Sequence, residues 1–105
     1  MRRAALLLSA LSLLAAPALA SSPAAWKAHD AKARDVCVAA VGLRDARASA
    51  PVLFSDAVGR TALLVTGAWP QAHMKGRRGT VLCLYDRRSG KAEAAEAAGW
   101  SAPVR

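Results

Sequence analysis

Cysteine is scarce in this 105-residue chain, which contains only two. Two thiols are too few for a zinc ribbon, an iron–sulfur cluster or a small disulfide-rich framework. Aromatic residues are also few, and only Trp69 and Tyr85 lie near the clusters of basic residues. Proteins that bind single-stranded nucleic acid usually interleave aromatic platforms with basic residues. We therefore expect neither these metal centres nor a specific nucleic-acid partner.

Histidine is equally scarce, and neither His29 nor His73 belongs to a pattern that supports catalysis or metal binding. A nucleophilic enzyme needs a nucleophile, a base and an orienting group, and Ser55 and Ser89 lie in no glycine-elbow pattern. The sequence has no short ligand spacing such as CxxC or HxxxH, and residues 76–79 lack the strand–GxxxxGK–helix context of a phosphate loop. We expect a protein that is not an enzyme and has no cofactor or metal ion.

The first twenty residues have the three-part layout of a secretory signal peptide. Arg2 and Arg3 precede an uncharged stretch rich in leucine and alanine, Pro17 interrupts it, and residues 18–20 supply the small residues of a cleavage site. A membrane anchor is the alternative, but residues 4–20 are short for a span of about 20 residues. We expect cleavage after Ala20 and a soluble domain that is periplasmic or secreted.

Cys37 and Cys83 are predicted to form a disulfide, because an exported protein meets an oxidising compartment. In the chain-entropy model, closing a loop of this size stabilises a fold by about 4 kcal/mol. Such a link matters in a small domain whose core is rich in alanine. Two free thiols are the alternative.

One helix is predicted at the start of the mature chain. Ser22 is a suitable N-cap, Pro23 suits the first helical position, and residues 24–41 contain no proline or glycine. Gly42 is predicted to end the helix, because glycine readily adopts the left-handed conformation found at helix C-termini. At 100° per residue, Cys37 falls within the apolar stripe of this helix.

The rest of the chain is predicted to form short strands joined by turns. In chain order we predict a polar connector at residues 43–50, a short extended run at 52–54, a strand at 61–69, a long loop at 70–79, the clearest strand at 80–85, a turn at 86–90, and either a strand or a helix at 91–96. This order predicts an α+β domain over residues 21–98, in which one helix packs on an antiparallel meander of three or four strands. The predicted disulfide joins the helix to the sheet, and residues 99–105 form a loose tail.

Basic residues crowd two segments of the predicted sheet. The long loop carries Lys75, Arg77 and Arg78. The following turn carries Arg87, Arg88 and Lys91. The two segments lie at opposite ends of the strand between them, which predicts two separate basic spots. Without Arg2 and Arg3 the chain keeps 13 basic residues against 7 acidic ones, a charge that attracts anionic partners. A surface that is merely solvated is the alternative.

Residues 69–79 are the most suggestive surface element, because long loops in small domains are often functional. An aromatic side chain beside basic ones can act as an anchor within a charged rim; the alternative is that Trp69 packs over the sheet edge and the loop only closes a wide hairpin. The candidate binding residues are Trp69, His73, Lys75, Arg77, Arg78, Arg87 and Arg88.

The predicted order of elements over residues 23–96 is broadly similar to cystatin-like and other small periplasmic inhibitor folds. This resemblance implies an inhibitor of an extracytoplasmic hydrolase. The cystatin inhibitory hairpin has the pattern Q-x-V-x-G, and the nearest stretch here, residues 63–67, has Leu63 in place of the glutamine.

Together these observations predict a small exported, non-catalytic domain, monomeric and without a transmembrane span after processing. We expect it to bind an anionic envelope component or an acidic protein surface through its basic loop. The alternative is a proteinaceous inhibitor that uses the same loop as a wedge. A basic domain would be repelled by basic targets such as lysozymes, so an acidic hydrolase would be the target.

Overall fold

The computed structural model describes residues 22–100. The signal peptide and cleavage site predicted for residues 1–20, and the predicted tail beyond residue 100, lie outside the described residues. The elements are α1 (Pro23–Val41), β1 (Arg44–Ala48), β2 (Val52–Leu53), β3 (Arg60–Ala68), a short 3-10 turn (Ala72–Met74), β4 (Arg78–Asp86) and β5 (Ala92–Glu96).

Helix α1 begins and ends where the sequence predicts. The Ser22 side chain accepts a hydrogen bond from the backbone N–H of Ala25 at 3.1 Å, which satisfies one of the free amides at the helix start. Gly42 ends the helix in a left-handed conformation, with φ 69°, which glycine adopts at little cost. Ala33 and Cys37 are the buried residues of the helix.

The sheet is antiparallel, and β3 is its central strand. Strand β4 pairs with β3 over nine consecutive residue pairs, from Arg60 opposite Asp86 to Ala68 opposite Arg78. Strand β5 pairs with the other edge of β4. Strands β1 and β2 both pair with the remaining edge of β3, β1 with its second half and β2 with its start. The result is a meander whose first edge is interrupted between residues 48 and 52.

The α+β prediction is confirmed, with one correction to the strand count. Residues 43–50 were expected to be a polar connector, but they contain the edge strand β1, so the sheet has five strands. Residues 91–96, for which strand and helix were both open, form the strand β5.

The core lies between α1 and one face of the sheet. Alternate residues of β3 and β4 are buried against the helix, among them Leu63, Val65 and Val81. The predicted disulfide between Cys37 and Cys83 is present at the centre of this layer, with a Cα–Cα distance of 5.9 Å, and both residues are fully buried. Within residues 22–100, no helix is long and apolar enough to cross a membrane.

Candidate binding surfaces

The loop between β3 and β4 has a defined backbone conformation. The N–H of Trp69 donates to the carbonyl of Arg77 at 2.9 Å and closes the loop at its base. Inside it, the N–H of Arg77 donates to the carbonyl of Met74 at 3.0 Å. Lys75 and Gly76 both have positive φ angles, 52° and 69°, and together they reverse the chain. The loop therefore extends from the end of the β3–β4 hairpin in one defined conformation.

Trp69 packs against the base of this loop. Its indole lies directly over Gly79: a Cβ atom placed on that glycine would be 2.5 Å from the indole Nε1. The residue is half-buried. The same indole lines a shallow depression together with His73 and Glu96, so the two predicted site residues Trp69 and His73 lie beside each other and beside a carboxylate.

The three basic residues predicted for the loop lie at one end of the hairpin. Lys75 and Arg77 lie in the loop, and Arg78 lies at the start of β4, which begins two residues before the strand predicted at 80–85. Lys75, Arg77 and Arg78 are all exposed. Among residues 22–100, none of the three forms an ion pair. Their charges therefore act together at one end of the sheet.

The arginines of the β4–β5 turn differ from each other. The Arg87 side chain is only 15% exposed. Its guanidinium forms hydrogen bonds with the backbone of residues 54–60. It donates to the carbonyl oxygens of Arg60 at 2.6 Å, Phe54 at 2.9 Å and Ser55 at 3.1 Å, and it lies 3.5 Å from the carboxylate of Asp56. Arg88 is exposed. The first of the two arginines thus stabilises the fold, and the second faces solvent.

Asp86 fixes this turn. Its carboxylate accepts hydrogen bonds from the backbone N–H groups of Arg88 at 2.8 Å and Ser89 at 3.3 Å. The Arg60 guanidinium lies 3.2 Å away. The Arg88 hydrogen bond is the main cause that lowers the pKa of Asp86 below its ordinary value of 3.8, with smaller contributions from Ser89 and Arg60, while partial desolvation acts in the opposite direction.

Strand β4 runs without a break between the loop and the turn. Eight residue steps separate Arg78 from Asp86, which corresponds to about 27 Å in an extended strand. The basic residues of the loop and those of the turn therefore form two separate basic surfaces, one at each end of β4.

His29 packs between the helix and the start of the sheet. Its Nε2 lies 3.1 Å from the hydroxyl of Thr61, and its ring contacts those of Trp26 and Tyr85 at centroid distances of 5.9 and 5.7 Å. Thr61 is fully buried, and its hydroxyl also lies 3.3 Å from the Arg87 guanidinium. Over the described part of the chain, no three His, Cys, Asp or Glu side chains are grouped to hold a metal ion.

Sequence reasoning missed two arginines on β1. The pairing of β1 with β3 shifts by one residue between Arg44 and Arg47, and Asp45 has a positive φ of 50° at this bulge. Arg44 pairs with Ala68 and Arg47 with Thr66, so both lie on the sheet face that points away from the helix. Without the bulge, residues three apart would lie on opposite faces.

Sequence reasoning also missed the apolar character of that outer face. Residues 61–65 (TALLV) and 81–85 (VLCLY) are almost continuously apolar, whereas an antiparallel strand with one solvated face normally alternates. Residues 22–100 contain one α-helix to cover the sheet. The lack of alternation in these two strands was therefore the signal for a second apolar face.

We compared the chain with known protein families, curated proteins and solved structures. No protein-family model, curated protein or solved structure matches this chain. The residues described above are therefore the basis for assigning a function.

Proposed function

We propose that this chain is an exported, non-catalytic binding domain that binds an anionic envelope component or an acidic protein surface through its basic loop, residues 69–79. The observation that carries the proposal is the placement of Lys75, Arg77 and Arg78. Lys75 and Arg77 are exposed on one short, internally hydrogen-bonded loop, and Arg78 is exposed directly after it as the first residue of β4. Among the described residues none of the three is neutralised by an ion pair.

Such a loop suits a partner with several negative charges. A single exposed ion pair contributes at most about 1 kcal/mol, so useful affinity needs several cations on one surface. The fixed backbone supports this, because less freedom is lost when a shaped loop binds than when a flexible one does. Trp69 and His73 line a shallow depression beside the loop and supply the aromatic rings of the same surface.

We do not include Arg87 in the proposed binding surface. Its guanidinium is occupied by carbonyl oxygens of the chain, and a partner would have to break those hydrogen bonds. Arg88 and Lys91 are exposed, but they lie at the other end of β4. They would contribute a second, weaker spot to a long polyanion.

We also propose that the domain is exported, on the basis of its disulfide and its N-terminal sequence. The buried disulfide between Cys37 and Cys83 is typical of proteins that mature in an oxidising compartment. The signal-peptide pattern of residues 1–20 supports the same location, in the periplasm or outside the cell.

The test is chromatography on immobilised heparin, followed by capture from an envelope extract. In the variant Lys75→Ser/Arg77→Ser/Arg78→Ser we expect elution at clearly lower salt and a weaker dependence of binding on salt. The matched control is Lys27→Ser/Lys32→Ser/Arg34→Ser, which removes the same charge from exposed positions of α1. Equal elution of the two variants would refute the choice of loop.

The alternative, an inhibitor of a hydrolase, uses the same loop. Capture from the envelope extract distinguishes it from the envelope binder. The hydrogen bonds within the loop give it the fixed shape that a wedge in an enzyme cleft requires. A single protein retained at high salt would favour an inhibited hydrolase, and its activity could be assayed directly. Release of polyanions at modest salt, with no discrete protein, would favour the envelope binder.

A further inference from the structure

Within residues 22–100, helix α1 covers one face of the sheet and no second α-helix or strand layer covers the other. This open face contains the alternate residues of β3 and β4 that are only half-buried, which are Ala62, Leu64, Leu82 and Leu84. Val52 pairs with Ala62 and extends the apolar surface to the edge of the sheet. The open face is therefore apolar at its centre.

Large exposed apolar side chains cluster at one edge of the open face. Val52, Phe54 and Trp100 are 59%, 47% and 64% exposed, and with Leu64 and Leu82 they line one shallow cavity. Leu53, also exposed, pairs with the helix-facing Thr61 and so lies on the opposite side of β2. This edge strand is apolar on both sides.

The opposite end of the open face is cationic. Arg44, Ala68 and Arg78 form one row across the strands, and Arg47 lies in the next row opposite Thr66. Within residues 22–100, none of these three arginines forms an ion pair. Along the edge of the sheet, Arg47 and Val52 are separated by the distance between their partners Thr66 and Ala62, about 14 Å.

Two acidic groups near the apolar edge lie within ion-pair distance of arginines. Asp56 lies 3.5 Å from Arg87, and Asp86 lies 3.2 Å from Arg60. A third, Glu96, lines a shallow depression with Trp100, but it pairs with the helix-facing Val81. Glu93 faces the same side as its partner Leu84, but it belongs to β5 at the far edge. The approach to Val52 and Phe54 is therefore not dominated by negative charge.

We propose that the open face docks onto an anionic lipid surface. Val52, Phe54 and Trp100 enter the interfacial region, and Arg44, Arg47 and Arg78 contact lipid phosphates. Amphipathic helices that lie in a membrane interface bury their apolar face about 5–10 Å into the boundary between headgroups and acyl chains. A sheet inclined to the membrane therefore brings the apolar edge to that depth and keeps the arginines at headgroup level.

Lipid fits this surface better than a protein partner does. A lipid interface can surround β2 on both sides, whereas a flat protein surface contacts only one. The apolar centre, four strands wide and about 14 Å long, covers roughly 250 Å². Each partner of a stable protein complex buries approximately 800 Å², of which roughly 450 Å² is apolar. A second copy would also bring its own arginines to a face that is already positive.

This inference deepens the proposed function, since an anionic lipid is an anionic envelope component, but it uses a different surface that shares only Arg78 with the basic loop. The two can fail separately. The variant Lys75→Ser/Arg77→Ser alters the loop alone, and Arg44→Ser/Arg47→Ser alters the open face alone.

The test is co-sedimentation of the mature chain, residues 21–105 with the disulfide formed, with phosphatidylcholine vesicles that contain phosphatidylglycerol. Vesicles of phosphatidylcholine alone are the reference. We expect binding to the anionic vesicles that weakens roughly tenfold or more in Arg44→Ser/Arg47→Ser and to a similar degree in Val52→Ser/Phe54→Ser. Two controls, Lys27→Ser/Lys32→Ser and Trp26→Ser, change charge and exposed apolar area on α1, and circular dichroism confirms that every variant is folded.

The loop variant separates the two proposals. Vesicle binding retained in Lys75→Ser/Arg77→Ser, together with weaker heparin binding, supports both. Vesicle binding lost in that variant but kept in Arg44→Ser/Arg47→Ser overturns the role of the open face and leaves the loop as the binding surface. No binding to anionic vesicles by the unmodified chain overturns the lipid proposal, and a dimer broken by Val52→Ser/Phe54→Ser would then assign the face to a second copy.

Discussion

Gly67 and Gly79 face each other across β3 and β4, and each is covered by a group that leaves no room for a side chain. A Cβ at Gly67 would lie 2.7 Å from the carbonyl oxygen of Arg44, and one at Gly79 would lie 2.5 Å from the Trp69 indole nitrogen. Both distances are far below van der Waals contact. This pair of glycines therefore lets β1 and the basic loop close tightly over one end of the sheet.

Gly79→Ala is expected to destabilise the fold by about 1–3 kcal/mol, because the indole of Trp69 must move to make room for the methyl group. Urea denaturation followed by circular dichroism measures the loss. In a Trp69→Ala background the same substitution should cost much less, since the obstructing ring is gone. Equal costs in the two backgrounds would show that the packing of Trp69 on Gly79 does not constrain the loop.

The double variant Cys37→Ala/Cys83→Ala is expected to lose up to about 4 kcal/mol of stability, because the disulfide restricts the unfolded chain. In a domain of this size that corresponds to a fall in Tm of roughly 15 °C or more. Thermal unfolding by circular dichroism measures it. A reducing agent should lower the Tm of the unmodified protein and leave that of the variant unchanged; a difference of only a few degrees would contradict the stabilising role of the disulfide.

The helix and the two central strands were predictable because local signals agree with the tertiary structure there. Ser22 and Gly42 mark the helix ends. The disulfide was predicted from the oxidising compartment of an exported protein, and the place of Cys37 in the apolar stripe agrees with it. Strand β1 was not predictable in the same way. Its sequence, RDARA, offers only alanines to the core, and an edge strand of this kind has no apolar alternation to reveal it.

The candidate site was predictable only in part. The cluster of Lys75, Arg77 and Arg78 is contiguous in sequence, so it survives folding as one surface. The difference between Arg87 and Arg88 depends on the carbonyl oxygens of residues 54–60, which lie far away in sequence. The row formed by Arg44 and Arg78 depends on strand pairing and on the bulge at Asp45, neither of which a local pattern reports.

Arg87→Ala is expected to cost about 2 kcal/mol of stability, a typical value for hydrogen bonds to a charged group, since it leaves the carbonyls of Phe54 and Ser55 without their donor. Arg88→Ala is the matched control and should change stability by no more than about 0.5 kcal/mol. Arg87→Lys should recover only part of the loss, because an ammonium cannot reproduce the planar set of donors. Equal effects at the two positions, measured by denaturant unfolding, would be inconsistent with the contacts of Arg87.

Asp86→Asn is expected to make stability less dependent on pH in the acid range. Hydrogen bonds from the backbone, chiefly that of Arg88, lower the pKa of Asp86 below 3.8 in the folded state, so the unfolded chain binds its proton more readily. The stabilisation is therefore fully present above the unfolded pKa and is lost as the pH falls through the folded pKa. The Tm of the unmodified protein should exceed that of the variant at neutral pH, and the difference should shrink below pH 3.8. Asp35→Asn, at an exposed position of α1, controls for the change in net charge, and a Tm difference at Asp86 that is unchanged from neutral to acid pH would refute its role in the turn.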